Sequence, residues 1–171
     1  ANVTAFDFNL VDKTNTYQLK GTARYSKIFG DFGYDGFNTG LRLSKISGRL
    51  QYFLNNGIES DEYDPNDLGF NSSPNNVFYQ AGISFYQFTP TKNFLTYNYN
   101  FSVYYDRLYR PNAYSSFQIM SRGFWYLKNF WDVRLSLSYI NTQHDYFVLG
   151  EPGKFVKRPL YAFAEIEGSS D

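Results

Sequence analysis

The amino-acid sequence predicts an all-β fold: an antiparallel transmembrane β-barrel with about nine up-and-down strands visible, forming part of a larger barrel. Long runs alternate apolar and polar residues with period two, which marks strands with one greasy and one wet side. Those runs exceed the roughly 5–6 residues usual for soluble domains and reach the roughly 9–11 that cross a bilayer. The connections between them alternate short and long, as periplasmic turns and extracellular loops do.

Composition sets the outer bounds. The 171 residues make one domain, with 16 basic and 16 acidic side chains. The absence of net charge argues against nucleic acid as the main partner. There are no cysteines, which excludes disulfides, thiolate metal sites and a cysteine nucleophile. The longest apolar run, Leu160–Ala164, spans five residues, too few for a transmembrane helix. No basic start followed by an apolar stretch is present, so no signal peptide is read here. Aromatic residues reach 22%, with 17 Tyr and 18 Phe, yet mean hydropathy is −0.48. That combination fits alternating strands with a lipid face and a polar lumen.

The first strand is predicted at Val3 to Val11, with Phe6, Phe8 and Leu10 opposite Ala5, Asp7 and Asn9. Asp12, Lys13, Thr14 and Asn15 make a turn suited to left-handed backbone. The second strand, Tyr17 to Ile28, sets Tyr17, Leu19, Gly21, Ala23 and Tyr25 against Gln18, Lys20, Thr22, Arg24 and Ser26. A glycine-rich connection leads to the third, Thr39 to Ile46, where Leu41 and Leu43 oppose Arg42 and Ser44. Ser47 and Gly48 form a hairpin turn into the fourth strand, Arg49 to Ile58, whose Leu50, Tyr52 and Leu54 face Gln51 and Phe53 less tidily.

After a polar loop from Glu59 to Asn76, the fifth strand runs Val77 to Phe88. The sixth, Phe94 to Tyr105, is the cleanest: Leu95, Tyr97, Tyr99, Phe101, Val103 and Tyr105 against Thr96, Asn98, Asn100, Ser102 and Tyr104. Tyr99 is expected to meet lipid and Asn98 the lumen. The seventh covers Tyr114 to Leu127, and the eighth, Trp131 to Ile140, sets Trp131, Val133, Leu135, Leu137 and Tyr139 against Asp132, Arg134, Ser136 and Ser138. A loop from Asn141 to Arg158 precedes a ninth strand, Pro159 to Glu167, whose facing the pattern does not assign. With this order the chain begins on the extracellular side. Bacterial single-chain barrels use even strand counts and lipid tolerates no open edge, hence the expectation of a larger barrel.

Lys20, Arg24, Arg42, Arg122 and Arg134 project to the expected lumen, against fewer acids, Asp7 and Asp132. They serve either as binding groups for anions or sugar acids in a channel, or as a salt-bridged brace for the wall. In the loop after the fourth strand, Asp61, Asp64 and Asp67 offer oxygen ligands for calcium, without the spacing of an EF-hand; a solvated turn is the other reading. His144 is the only histidine, so no multi-histidine metal site forms. Its neighbour Asp145 points to the opposite face on a strand. Asp7, Asp132 and Glu165 have no spacing that favours glycoside hydrolysis over charge pairing. Tyr34, Phe37, Tyr63, Phe70, Tyr109, Tyr146 and Phe147 either stack on sugar rings or form an interfacial aromatic belt.

The stretch Tyr63-Asp64-Pro65-Asn66-Asp67-Leu68-Gly69-Phe70, following the Lys45 to Leu50 hairpin, resembles a family of uncharacterised Bacteroidetes outer-membrane proteins. Its motif residues are Asp64, Asn66, Asp67, Gly69 and Phe70; Glu151-Pro152 and Ser170-Asp171 add to the likeness, although Gly153 stands where Arg is expected. That family pairs an N-terminal carbohydrate-binding module of the family-nine type with a C-terminal β-barrel of unknown function. The resemblance implies a bacterial outer-membrane location, the lipid bilayer as a partner, a carbohydrate ligand and contacts with other outer-membrane proteins. It supplies no catalytic residues and no cofactor. The leading expectation is a non-enzymatic barrel for surface binding or passage of a ligand. An outer-membrane enzyme with an extracellular-loop site and a soluble β-rich binding module are the alternatives.

Overall fold

A computed structural model describes residues 2–65, 74–151 and 153–170. One antiparallel sheet of nine strands dominates it, and consecutive strands lie side by side. The strands are β1 (Asn2–Val11), β2 (Tyr17–Lys27), β3 (Asp35–Lys45), β4 (Leu50–Glu59), β5 (Asn76–Gln87), β6 (Phe94–Arg107), β7 (Tyr114–Leu127) and β8 (Asp132–Ile140). A small hairpin follows, β9 (Gln143–Asp145) with β10 (Val156–Arg158), and β11 (Tyr161–Ser169) returns to the sheet beside β8. The expected strands are thus present, with β3 and β6 longer than predicted and a hairpin inside a stretch read as loop.

Closure is not what the sequence led us to expect. Among the described residues the sheet remains open: β1 pairs only with β2, and β11 only with β8. The structure is a nine-stranded meander, not a closed barrel.

Strand register shows how the two faces are sorted. Reading straight across the sheet, Leu10, Leu19, Leu43, Leu54, Ala81, Val103, Ile119, Tyr139 and Ala162 stand opposite one another, one from each strand. Every member of that row is apolar or aromatic. The adjacent row on the other face begins Asn9, Lys20, Arg42, Asn55, Gln80, Tyr104 and Gln118. The facing of β11 follows from its ladder: Ala162, Ala164 and Ile166 join the apolar face, and Phe163, Glu165 and Glu167 the polar one.

Burial is inverted relative to a water-soluble sheet. Leu54 is 58% exposed, Leu41 52%, Phe101 46% and Ile83 45%. Between them Gln51, Phe53, Asn55, Gln80, Ser84 and Asn100 are half-buried, and Ser44 and Ser116 are buried. Bulky side chains that stay open while small polar ones are sheltered mean that the sheet curls towards its polar face. That curl is helped by glycines. Phe78 lies over Gly57 and Phe53 over Gly82, directly across from them, so close that a Cβ would meet the ring at 2.3 and 2.4 Å. An aromatic ring covering a cross-strand glycine restores the packing that the glycine lacks.

Connections alternate between the two ends. At one end lie 12–16, 46–49, 88–93 and 128–131; at the other 28–34, 60–75, 108–113 and 141–160. The alternation in length is weaker than predicted, because 88–93 and 108–113 are equal. The first turn is built on Asp12. Its Oδ1 accepts the Thr16 and Tyr17 amides at 2.6 and 2.7 Å, and its Oδ2 accepts the Thr14 hydroxyl. Asn15 takes φ 52°, as asparagine tolerates.

The long connections knit the opposite rim. The Ser60 amide donates to the Phe37 carbonyl at 2.9 Å, and its hydroxyl accepts the Phe37 amide at 2.9 Å. The Asp64 amide donates to Ser26 Oγ at 3.0 Å. Tyr63, 4% exposed, is thereby laid against Gly36. Asn75 reaches the next loop, bonding both the carbonyl and the amide of Arg110 at 2.7 and 2.8 Å.

A Cβ on Gly36 would stand 2.3 Å from the Tyr63 nitrogen, a main-chain atom that cannot swing away. Gly36→Ala is expected to destabilise the protein by about 1–3 kcal/mol through overpacking, measured by denaturant unfolding. The Asp12 carboxyl is held at about 2, below its ordinary 3.8, by the Thr14 hydroxyl and then by the amides of Tyr17, Thr16 and Thr14. A depressed carboxylate stabilises fully above its unfolded pKa and loses that contribution as pH falls through the folded one. Thermal unfolding is therefore expected to show the protein more stable than Asp12→Asn above pH 3.8, with the gap closing towards pH 2.

Candidate functional site

Two glycines on the polar face, Gly40 on β3 and Gly57 on β4, stand directly opposite each other. Gly40 carries no side chain and the Phe78 ring lies over Gly57, and together they form the floor of a recess of about 600 Å³. Thr22 of β2 adjoins Gly40 in the same cross-strand row, and Phe78 closes the row on the β5 side. One flank carries Lys20, Arg42 and Asn55, and the other carries Asn38, Glu59 and Asn76.

The two flanks differ in charge balance. On the second, the Asn38 amide donates to Glu59 Oε2 at 2.6 Å, and nearby Arg24 lies 4.0 Å from Asp7. On the first, Lys20 and Arg42 are cross-strand partners. Arg42 donates through Nε to Ser44 Oγ at 3.2 Å, and its guanidinium stacks 3.9 Å from the centre of the Phe53 ring. Among the described residues neither cation has an acidic partner. Phe78 itself stacks on Tyr104, with centroids 5.9 Å apart and an interplanar angle of 22°. Thr22 Oγ1 and Asn76 Oδ1 are shielded from solvent without a hydrogen-bond partner among the described residues.

All five predicted lumen cations lie on the polar face, as their registers show. They do not form one site. Arg24 is engaged by Asp7. Arg134 lies 3.9 Å from Asp132, 3.7 Å from Glu167 and 5.6 Å from the Phe124 ring centre, a brace at the β8–β11 edge. Arg122 sits between Asn100 and Ser136 in its row, away from the recess. Only Lys20 and Arg42 share the cavity.

The acidic loop is occupied by its own surroundings. Asp61 lies 3.7 Å from Arg110 Nη1, and Asp64 Oδ2 accepts the Tyr34 hydroxyl at 2.7 Å. That bond, chiefly, raises the Tyr34 pKa. Among the described residues no group of three or more His, Asp or Glu converges on a metal position. Asp67, Asn66, Gly69 and Phe70 lie outside the described residues, as do Pro152 and Asp171.

His144 stacks on Phe155 at 4.1 Å and meets Tyr114 edge-on at 5.3 Å. Asp145 instead caps the Phe147 and Val148 amides and bonds Arg158 at 2.5 Å. Although burial pushes the other way, the two amides and Arg158 hold its pKa below the ordinary value. Ser115, the serine beside this hairpin, donates to the His144 carbonyl and not to the ring. Asp7 lies on β1 and Asp132 and Glu165 on β8 and β11, at opposite edges of the sheet. Of the loop aromatics, Tyr63 is buried, Phe37 packs edge-on against Tyr109 at 5.7 Å, and Tyr146 donates to the Tyr114 carbonyl at 3.1 Å. Their rings bind the rim together; Phe147 stays exposed.

Phe78 and the Gly40–Gly57 pair went unnoticed in the sequence, and Phe53 showed only as an untidy member of its strand. Their signal is an aromatic or a glycine interrupting the polar face, and it becomes legible only once the register places each against its partner.

No curated protein and no solved structure matches the chain. From residue 1 to residue 171 it matches the model of the family described as Domain of unknown function (DUF5916), and the chain belongs to that family.

Proposed function

We propose that this chain forms the wall of an outer-membrane β-barrel. Its apolar face meets lipid, and its polar face lines a lumen for surface binding or passage of a polar ligand. The observation that carries this reading is the inverted burial: one face presents an apolar side chain at every cross-strand position of a full row, and Leu10, Leu43, Leu54, Tyr139 and Ala162 of that row are exposed. In water such a continuous patch would be costly, whereas in hydrocarbon it is the required surface. The nine strands of the sheet run 9 to 14 residues, matching the roughly 9–11 that span a bilayer at a tilt.

Lipid also demands that every backbone amide be paired. The unpaired edges of β1 and β11 are, on this reading, completed by further strands in the assembled barrel. The end bearing 60–75 and 141–160 then faces outwards, since extracellular loops are the longer ones. Carbohydrate fits the lumen chemistry: rings such as Phe53 and Phe78 lie among Asn, Gln and Ser side chains. The reading is of a binding or conducting wall.

Ile83 and Ser84 are neighbours on β5 that face opposite ways, Ile83 towards Tyr52 and Phe101, Ser84 towards Gln51 and Asn100. With the protein folded into phospholipid vesicles, Ile83→Lys is expected to cost about 2–4 kcal/mol in equilibrium unfolding, as at mid-membrane, and Ser84→Lys far less. Equal costs at the two positions, or a parent protein that stays monodisperse without detergent, would sink the proposal.

A further inference from the structure

We infer that the recess between β2 and β5 is a binding site for a small hydroxylated organic anion, one carrying a carboxylate or a phosphate on a ring-shaped body. This names a ligand class for the polar face and stands on the recess alone, whether or not the opposite face meets lipid.

Charge placement is the first argument. Like charges directly opposite on neighbouring strands repel, and Lys20 and Arg42 occupy such a pair. Their neighbours along the strands and directly across the ladders are neutral: Gln18 and Thr22 along β2, Gly40 and Ser44 along β3, Asn9 and Asn55 across. The two acids of the recess, Asp7 and Glu59, are engaged by Arg24 and Asn38. Elsewhere on the polar face cations do find acids, Arg24 with Asp7 and Arg134 with Asp132 and Glu167. Among the described residues this cross-strand cation pair has no acid of its own and is left for an anion from outside.

Shape is the second. Gly40 leaves an open floor at the foot of these cations, bounded by the Phe78 ring over its partner Gly57, and a Cβ on Gly40 would already press on the Thr22 methyl at 3.1 Å. An oxyanion seated between Lys20 and Arg42 has its remaining atoms over that floor, with the Phe78 ring along the wall.

Hydrogen-bonding capacity is the third. Asn38, Asn55 and Asn76 with Thr22 line the recess with amide and hydroxyl groups. A hydroxylated ring supplies donors and acceptors to such groups, and a purely apolar acid does not. Charge-assisted hydrogen bonds at the head give affinity, and the neutral groups give orientation.

The test is calorimetric titration of the full chain in detergent micelles with glucuronate, glucose 6-phosphate, inorganic phosphate and glucose. Glucuronate or glucose 6-phosphate is expected to bind at least about tenfold more tightly than glucose, the difference one charged hydrogen bond makes. Which of the two is tighter separates a carboxylate ligand from a phosphate one. Phosphate alone is expected to bind more weakly than the better sugar anion, since it leaves the floor and Phe78 unused. Lys20→Gln and Arg42→Gln should each weaken binding about tenfold, and added salt should weaken it further. Lys128→Gln, in a turn at the rim, should change nothing. Gly40→Val fills the recess and should abolish binding; where it fails to fold, the two cation variants carry the test, each checked for an unchanged β-sheet circular-dichroism spectrum. Glucose binding as tightly as its acids, a double Lys20→Gln, Arg42→Gln variant that binds like the parent, or no binding of any of the four at millimolar concentration would overturn the inference. None of these outcomes depends on the lysine scan of Ile83 and Ser84, so the two proposals fail separately.

Discussion

A shift of one residue between any two strands would carry that strand's apolar side chains onto the polar face. Register is therefore the constraint on which both faces, the curl and the recess depend. The short turns hold it. Asp12 gathers the amides of the first turn, Gly48 takes φ 81° in the second, and Thr91 and Phe94 bond across the third. Neighbouring turns are also tied, with the Ile46 amide donating to the Thr16 carbonyl at 2.8 Å and the Lys128 amide to the Asn93 carbonyl at 3.1 Å. At the opposite rim the same task falls to longer loops, through Ser60 on Phe37 and Asn75 on Arg110.

Once the register is fixed, side-chain size shapes the sheet. Large residues crowd the apolar face, while the polar face is thinned by Gly40, Gly57 and Gly82. The thin side becomes the inside of the curve. Phe53 and Phe78 then settle over glycines in the adjacent strand, filling what would otherwise be gaps. Of these three glycines Gly40, beside Thr22, has no ring over it, and it gives the recess its open floor next to the Phe78 ring on Gly57. Packing and the candidate site thus share a cause: where an aromatic ring covers its glycine there is wall, and where none does there is room for a ligand.

Much of this was legible in the sequence because period-two alternation is a local signal. The strands from β2 to β8 and the facing of β6 and β8 follow from side-chain order alone. Other features were hidden because they are non-local. Phe53 made β4 look untidy, and its partner Gly82 lies beyond the 60–75 connection, so no short-range pattern links the two. The Gly40–Gly57 floor is invisible for the same reason. Facing in β11 was ambiguous because Tyr161 and Phe163 lie on the polar side while Ala162 and Ala164 hold the apolar one, reversing the expected sizes. The β9–β10 hairpin has three residues a side, too short to show a period. The two readings left open for the cations divide among them: Arg24 and Arg134 pair with acids as a brace, and of the five only Lys20 and Arg42 meet in a cavity.

The central claim is that the apolar face of the sheet lies against lipid. The chain has two tryptophans, Trp125 and Trp131. Trp125 is on the apolar face of β7, opposite Tyr97 and Val133, and its indole donates to the Tyr99 hydroxyl at 2.8 Å. In a Trp131→Phe background, Trp125 fluorescence reports that face alone. With the protein folded in vesicles of brominated phospholipid, the expected result is strong quenching by the bromines and little by aqueous iodide. Quenching by iodide with none by brominated chains would contradict the lipid-facing assignment.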